Sequence, residues 1–310
     1  MRLIITSIFI FLRTSLISGE TPLTHNPMIE HRIKINNHTF AVYEKKHDSA
    51  KEIIVLIHGK TISALPNFDL QVESGNVSVM DAFVQKGFQV YAMDMRGFGN
   101  TPRDASGWIN PEKAFRDVVG LLEWVIQRHS HTIKPTLFGY SYGSLVSHFV
   151  VQKRPELVRE LILYGHPIEH TYANRYNKIE GAVKSTAEEP IQEPNSVEWA
   201  SSDFMENSTE QKVIDAYVSS TLNLDPILVD WNNLSEWTQL EPQKITVPTL
   251  LINGVHDPVA PIESLALFFG EIANPDRSWV IIPESGHAAH LEHSSAQMIT
   301  SVINFIRRGK

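Results

Sequence analysis

The sequence contains no cysteine. Disulfide bonds, thiol catalysis and cysteine-ligated metal sites are therefore excluded, and so is a lipid anchor attached to an N-terminal cysteine. The absence does not identify a cellular compartment. Any covalent catalysis by this chain must use oxygen or nitrogen side chains.

Basic residues are scarce relative to acidic ones. The 310 residues include 27 lysines and arginines against 35 aspartates and glutamates, which gives a net charge of −8. No run of positive charge is present, so we expect no binding to nucleic acid. The hydrophobic share of 42% is ordinary for a globular protein, and the length suffices for one large domain or two modest ones.

The sequence has no long apolar run, but one short apolar segment lies at the N-terminus. Arg2 precedes an apolar run over residues 3–12, and small and polar residues follow up to Gly19. The pattern resembles a secretory signal peptide, and the run is too short to span a bilayer comfortably. We interpret residues 1–19 as a candidate signal peptide. The expectation is a secreted or periplasmic protein without a stable membrane anchor, with a cytoplasmic protein as the alternative.

Strand and helix patterns alternate along most of the chain. Continuous apolar runs at 52–57, 89–93 and 249–253 are typical of buried strands, and residues 111–129 carry apolar side chains at the helical period. This alternation predicts an α/β fold with a doubly wound, mostly parallel sheet and helices on both faces.

Residues 166–245 interrupt that alternation. They contain no strand pattern bounded by turns and are too long for a plain loop, which predicts an inserted, mainly helical cap between core segments 30–165 and 246–310. The insertion has 14 acidic and 5 basic side chains, a net charge of −9. We expect most of its large side chains to pack within the cap and the others to line a pocket: Tyr172, Tyr176, Trp199, Phe204, Met205, Tyr217, Trp231 and Trp237.

Residues 139–143 read Gly-Tyr-Ser-Tyr-Gly and match the G-x-S-x-G pattern of a nucleophile elbow. A β-forming segment precedes them and a helical pattern follows. That context favours a tight turn from which the hydroxyl of Ser141 projects clear of the sheet. A five-residue match often arises by chance, so the interpretation depends on suitable partners elsewhere in the chain.

Two such partners follow later strands. Asp257 comes after the strand pattern at 249–253, and His287 comes after the one at 279–282. A serine hydroxyl needs a nearby base, and that base needs an orienting group. Because the carboxyl ends of parallel strands meet at one crevice, we expect Ser141, Asp257 and His287 to converge there.

Five motifs occur in a characteristic order along the chain: His58-Gly59, Asp94-Met95-Arg96-Gly97-Phe98-Gly99, Gly139-Tyr140-Ser141-Tyr142-Gly143, Gly254-Val255-His256-Asp257 and Gly286-His287. With these motifs the chain resembles the α/β-hydrolase superfamily from about residue 30 to its end, and most closely its capped esterase and lipase branch. The resemblance implies Ser141 as nucleophile, His287 as general base and then acid, and Asp257 as the orienting carboxylate. It also argues against the dehalogenases and epoxide hydrolases that carry aspartate at the elbow.

Two alternatives remain open: a different acid in the triad, and a metal site formed by histidines. Glu169 follows an earlier strand and could supply the acid in place of Asp257. Histidines recur every three residues at His287, His290 and His293, but this spacing drifts around a helix and no metal-binding motif accompanies it. We therefore expect neither metal nor cofactor, with His290 and His293 on the surface of a helix that spans residues 290–308.

Backbone N–H groups of Lys60 and Tyr142 are expected to form the oxyanion hole, with the Thr61 hydroxyl as an additional donor. Lys60 departs from the small residue that is commoner at its position in the family. Its side chain either points to solvent or pairs with an anionic substrate.

The predicted function is that of a serine hydrolase that cleaves a small or medium, neutral carboxylic ester with an apolar part through an acyl-enzyme. The same triad serves amidases, peptidases, thioesterases and C–C bond hydrolases. A non-catalytic member that binds a ligand is the alternative from a different class.

Overall fold

The computed structural model describes residues 27–72, 77–129, 133–168 and 189–309. The candidate signal peptide at 1–19 lies outside the described residues. The alternative acid Glu169 and the aromatic residues Tyr172 and Tyr176 lie outside them as well.

Ten strands are present in the described residues: β1 (Ile29–Ile35), β2 (His38–Lys45), β3 (Glu52–Ile57), β4 (Phe88–Met93), β5 (Trp108–Ile109), β6 (Thr136–Tyr140), β7 (Glu160–Tyr164), β8 (Asp230–Trp231), β9 (Thr249–Gly254) and β10 (Arg277–Ile282). Eight of them form one sheet in the order β1-β2-β4-β3-β6-β7-β9-β10. The N-terminal hairpin β1-β2 is antiparallel, and β2 pairs antiparallel with β4; every other neighbouring pair of this sheet is parallel. The predicted mostly parallel sheet is confirmed.

Eight α-helices accompany these strands in the described residues: α1 (Ala64–Phe68), α2 (Val79–Gln85), α3 (Pro111–Arg128), α4 (Tyr142–Lys153), α5 (Val197–Ser201), α6 (Gln211–Leu224), α7 (Ile262–Glu271) and α8 (Ser295–Ile306). In the described part of the chain, no helix combines the length and apolar character needed to cross a membrane.

The central strand β3 explains why helices cover both sides of the sheet. Successive strand side chains point to opposite faces. Those of Ile53, Val55 and Ile57 enter the core beneath α3, α4 and α7, whereas Ile54 and Leu56 enter the core beneath α2 and α8. A continuous apolar strand is therefore buried on both faces, as the run at 52–57 predicted.

The C-terminal helix is shorter than the sequence pattern suggested. It begins at Ser295, and residues 290–294 form turns. His290 is buried rather than on a helix surface: its backbone N–H donates to the Tyr164 hydroxyl at 3.2 Å. This contact with β7 holds the chain in a turn, so the prediction for His290 is wrong. His293 is exposed.

The segment at 189–245 combines α5 and α6 with short 3₁₀ turns at Leu234–Gln239 and Pro242–Lys244. It also contains β8, which pairs with β5 and which the sequence did not suggest, because two residues are too few to show alternation. Asp225 fastens the segment to the core: its carboxylate accepts the backbone N–H groups of Ser63 and Gly99, both at 2.8 Å.

Asp94, just after β4, organises the glycine-containing turn that follows this strand. The carboxylate is buried and accepts hydrogen bonds from the Tyr43 hydroxyl at 2.7 Å and from the backbone N–H groups of Ala64 and Asn100 at 2.9 Å. It thereby joins β2, α1 and the glycine-containing turn.

We predict that Asp94→Ala lowers the free energy of unfolding by about 3–5 kcal/mol, because two buried donors and one partly buried donor lose their acceptor. Urea denaturation of the purified variant measures the change. Asp48→Ala is the matched control, since Asp48 is exposed, and it should shift stability by no more than about 0.5 kcal/mol. Equal stabilities for the two variants would contradict this role of Asp94.

Candidate active site

Ser141 occupies a sharp turn between β6 and α4. Its φ is 53° and its ψ is −125°, in a region that a serine rarely adopts. Its backbone N–H donates to the carbonyl oxygen of Tyr164 at 2.9 Å, which ties the turn to the end of β7. Such backbone strain costs roughly 1–3 kcal/mol and persists only where the surrounding structure enforces it. The turn presents the serine side chain at the carboxyl end of the parallel sheet.

Glycines on both sides of Ser141 permit this turn. A Cβ at Gly139 would collide with the carbonyl group of Gly143, and a Cβ at Gly143 would collide with that of Ile57 at the end of β3. Only glycine therefore allows β6, α4 and β3 to approach this closely.

His287 and Asp257 meet beside the elbow. The Nδ1 atom of His287 lies 2.9 Å from Oδ2 of Asp257, and both side chains are buried. The other carboxylate oxygen of Asp257 accepts the backbone N–H of Val259 at 3.0 Å. This geometry suits an Nδ1–H donor on His287 and leaves Nε2 available as a base.

Two side chains that the sequence analysis did not identify hold the His287 loop. The Tyr164 hydroxyl donates to the carbonyl oxygen of His287 at 2.7 Å. The Glu292 carboxylate accepts the N–H of Gly286 at 3.0 Å. Tyr164 is the last residue of β7, a position on the same sheet edge that could have drawn attention to it; Glu292 gave no comparable signal.

The electrostatic surroundings favour the charged form of His287. Burial by itself lowers the pKa of this imidazole, but the charge of Asp257 and their hydrogen bond outweigh it, and Asp203 and Glu292 add to the effect. The net result is a pKa above the ordinary value of 6.5. A proton taken up by His287 is thus stabilised by nearby carboxylates.

The loop after β3 lies against Ser141. A Cβ at Gly59 would stand 3.1 Å from the Cβ of Ser141, so the following Lys60 and Thr61 come directly beside the elbow. His58 is buried and holds this loop: its Nε2 accepts the N–H of Met95 at 2.9 Å, and burial lowers its pKa to about 4. Tyr142 is the first residue of α4, where helix amides carry partial positive charge.

A cavity of about 370 Å³ opens over these groups. Its walls combine core residues with residues of the 189–245 segment: Gly59, Lys60, Thr61, Ile62, Asn67, Tyr140, Ser141, Tyr142, Trp199, Ser202, Asp203, Pro258, Val259 and His287. Of the aromatic residues that the sequence offered as pocket walls, Trp199 lines this cavity. Tyr217, Trp231 and Trp237 are buried elsewhere, and the last two pack against the ring of Tyr142.

Tyr140 and Asp203 add polar groups to the cavity wall. The Tyr140 ring lies 4.8 Å from the ring of His287 and 5.0 Å from that of Tyr164, and its hydroxyl oxygen is 3.5 Å from a carboxylate oxygen of Asp203. Burial raises the pKa of Asp203. Nothing in the sequence distinguished Asp203 from the other acidic residues of its segment.

The eight-stranded sheet with its elbow at β6 defines an α/β-hydrolase, and the chain is a hydrolase of that superfamily. Within it, the chain belongs to the family described as serine aminopeptidase, S33, whose model matches residues 48–294. The resemblance inferred from the five motifs is therefore confirmed at the level of the superfamily.

Two curated relatives are similar over most of their length. A 2-hydroxy-6-oxo-6-(2'-aminophenyl)hexa-2,4-dienoic acid hydrolase of Metapseudomonas resinovorans is 25% identical over 272 residues, which are 82% of this chain and 84% of the relative. A pimeloyl-[acyl-carrier protein] methyl ester esterase of Legionella pneumophila is 22% identical over 238 residues, or 73% and 87% of the two chains.

Solved structures agree with the fold. A thermophilic esterase from Thermogutta terrifontis superposes with a TM-score of 0.63 over 91% of this chain and 98% of its own, at 17% identity. At this identity the likeness establishes the shared fold alone.

We predict that Gly165→Ala disturbs the site directly. Gly165 has a φ of 56°, and a Cβ there would lie 2.8 Å from Cε1 of His287 and 3.1 Å from Oδ2 of Asp257. Hydrolytic kcat/KM should fall about ten-fold or more as the pair is displaced, and stability should fall by about 1–2 kcal/mol.

Gly270→Ala serves as the control, because Gly270 lies in α7 and a Cβ there meets no atom within 4 Å. It should retain activity and stability. Steady-state kinetics and urea denaturation of both variants test this prediction. Wild-type kcat/KM and stability in Gly165→Ala would contradict it.

Proposed function

We propose that this protein is a serine hydrolase that cleaves carboxylic esters through an acyl-enzyme, with Ser141, His287 and Asp257 as its triad. The observation that carries the proposal is the hydrogen bond between His287 and Asp257 in a cavity that Ser141 also lines. Asp257 is favoured over Glu169 as the acid because this contact already occupies Nδ1 of His287.

In the proposed reaction, the Ser141 hydroxyl attacks the ester carbonyl while Nε2 of His287 takes its proton. The proton then passes to the departing alcohol. Water, deprotonated by the same imidazole, hydrolyses the acyl-enzyme and regenerates the serine. Asp257 keeps the imidazole in the required tautomer and stabilises its charged form.

The negative charge that develops on the carbonyl oxygen would be held by the backbone N–H groups of Lys60 and Tyr142. The position of Tyr142 at the start of α4 supports this role, as does the close approach of Gly59 to Ser141. Removing one such donor typically costs about 100–1000-fold in rate. The Thr61 hydroxyl, which also lines the cavity, would be an auxiliary donor.

The cavity supports a small or medium substrate with an apolar part. Its volume of about 370 Å³ is at the lower end for small-molecule sites, and Ile62, Trp199 and Val259 supply apolar walls. We propose that residues 166–245 act as a cap over the core, since Trp199, Ser202 and Asp203 close one side of the cavity.

Aminopeptidase activity is the second candidate. It is favoured by the family description and by Asp203, whose carboxylate could receive an amino group inside the cavity. The ester proposal has separate support from the second curated relative, which is a methyl ester esterase by name. The first relative, a hydrolase of an oxo-dienoic acid by name, keeps C–C bond hydrolysis among the reactions to be assayed.

We predict that wild-type protein hydrolyses p-nitrophenyl esters of short and medium acids, and that Ser141→Ala lowers kcat by about 10⁴-fold or more. Asp257→Asn should lower it by about 10⁴-fold, because the amide carries no negative charge and its NH2 group, facing Nδ1, holds the imidazole in the wrong tautomer. A panel of esters, thioesters and aminoacyl p-nitroanilides identifies the preferred bond.

Ser202→Ala is the control, since Ser202 lines the same cavity but donates only to the carbonyl oxygen of Trp199. It should remain active. The proposal fails if Ser141→Ala keeps its ester turnover, and turnover restricted to the anilides would favour the aminopeptidase.

The pH profile provides an independent prediction. Protonated His287 cannot accept the serine proton, so kcat/KM should fall as the pH drops through the pKa of His287, with a midpoint above pH 6.5. Asp203→Asn removes a negative charge that raises this pKa, and its midpoint should therefore move to lower pH. Asp215→Asn, at an exposed position on α6, should leave the midpoint unchanged. Equal pH profiles for the wild type and both variants would disprove that the charge of Asp203 raises the pKa of His287.

A further inference from the structure

Among the described residues that line the cavity, Lys60 is the one lysine or arginine. Its ammonium group lies 5.3 Å from the centre of the Tyr142 ring, and burial lowers its pKa. Among the residues that the structure describes, no carboxylate lies within ion-pair distance of Lys60. The side chain is thus partly buried in the cavity wall, and its three donors are uncommitted to any described acid.

Lys60 is only partly buried, and it differs in its partners from Lys45, which is buried in the core. Lys45 is paired with Asp69 at 2.6 Å and with Asp81 at 2.8 Å. Burying an ammonium group without an anion is costly. Contact with an aromatic face recovers some of that energy but supplies no acceptor. A cation that lines a binding cavity and has no acidic partner among the described residues therefore points to an anion that arrives with the ligand.

Asp203, the acidic residue of the same cavity, does not fill this role. Its carboxylate faces the hydroxyl of Tyr140, and it acts on His287 through its charge. It forms no ion pair with Lys60, although both residues line one cavity. The cavity consequently has separate charged positions, with the cation on the loop after Gly59, over the ring of Tyr142.

We propose that Lys60 binds a carboxylate carried by the substrate, so that the preferred ester has an apolar stem between the scissile carbonyl and a free acid group. This inference rests on the proposed ester hydrolysis and refines it: the neutral ester expected from the sequence is replaced by the monoester of a dicarboxylic acid. Because Lys60 directly follows the glycine that contacts Ser141, its flexible side chain can reach an acid group a few bonds from the reacting carbon.

The test compares the mono-p-nitrophenyl ester of adipic acid with p-nitrophenyl heptanoate, a neutral ester of similar length, after subtraction of spontaneous hydrolysis. The measured quantity is the ratio of their kcat/KM values in each protein. Lys60→Met should lower this ratio by about ten-fold or more, the worth of a charge-assisted hydrogen bond. Lys60→Arg should retain most of it. The ratio cancels changes that affect both esters equally, including any disturbance of the proposed oxyanion hole.

Lys46→Met is the matched control for net charge, because Lys46 is exposed and lies after β2. Its ratio should equal that of the wild type. An unchanged ratio in Lys60→Met would overturn the inference, while Ser141-dependent turnover of both esters would leave the proposed function standing.

A binding measurement covers the case in which neither ester is turned over. Monomethyl adipate is titrated calorimetrically into Ser141→Ala and into Ser141→Ala combined with Lys60→Met. We expect the second substitution to weaken binding about ten-fold or more. Equal affinities, or no binding to either protein, would overturn the carboxylate site, whereas absence of turnover by the wild type would count against the proposed function.

Discussion

The strained backbone of Ser141 is the constraint around which the functional end of the molecule is built. Its left-handed φ is held because β6, α4 and β3 pack so closely that a Cβ at Gly139 or Gly143 would collide with a neighbouring backbone. The strain is small compared with the burial energy of the two apolar cores. The sheet can therefore keep one serine in an unfavourable conformation and present its side chain above the sheet edge.

The other residues of the site lie on loops along the same edge of the sheet. The loops after β3, β6, β9 and β10 bring together Gly59, Ser141, Asp257 and His287, although these residues are far apart in the chain. Buried contacts then fix the loops: His58 accepts from Met95, Tyr164 donates to His287, and the Glu292 carboxylate accepts from Gly286. Each contact satisfies a backbone group that would otherwise be costly to bury.

The distribution of charge separates structural groups from groups that face a ligand. Asp94, Asp225 and Lys45 are buried and satisfied by protein partners, so their charges stabilise turns and loops. Lys60 and Asp203 instead line the cavity, one without a described acid and the other close to His287. The large net negative charge of the 166–245 segment gave no indication of this local arrangement, because it sums over residues on every face.

The sequence by itself determined the alternating strands and helices, the serine elbow and the two later strand ends that carry Asp257 and His287. It could do so because buried strands are continuously apolar and because the close approach of β6, α4 and β3 requires glycine at residues 139 and 143. Both features leave local signals in the sequence. The triad roles remain a proposal. Tertiary structure alone decided that His290 is buried against Tyr164, that β8 pairs with β5, and that Asp203 and Glu292 lie beside His287. Those outcomes depend on contacts between residues that are distant in sequence. Short polar segments have no periodic pattern from which such contacts could be predicted.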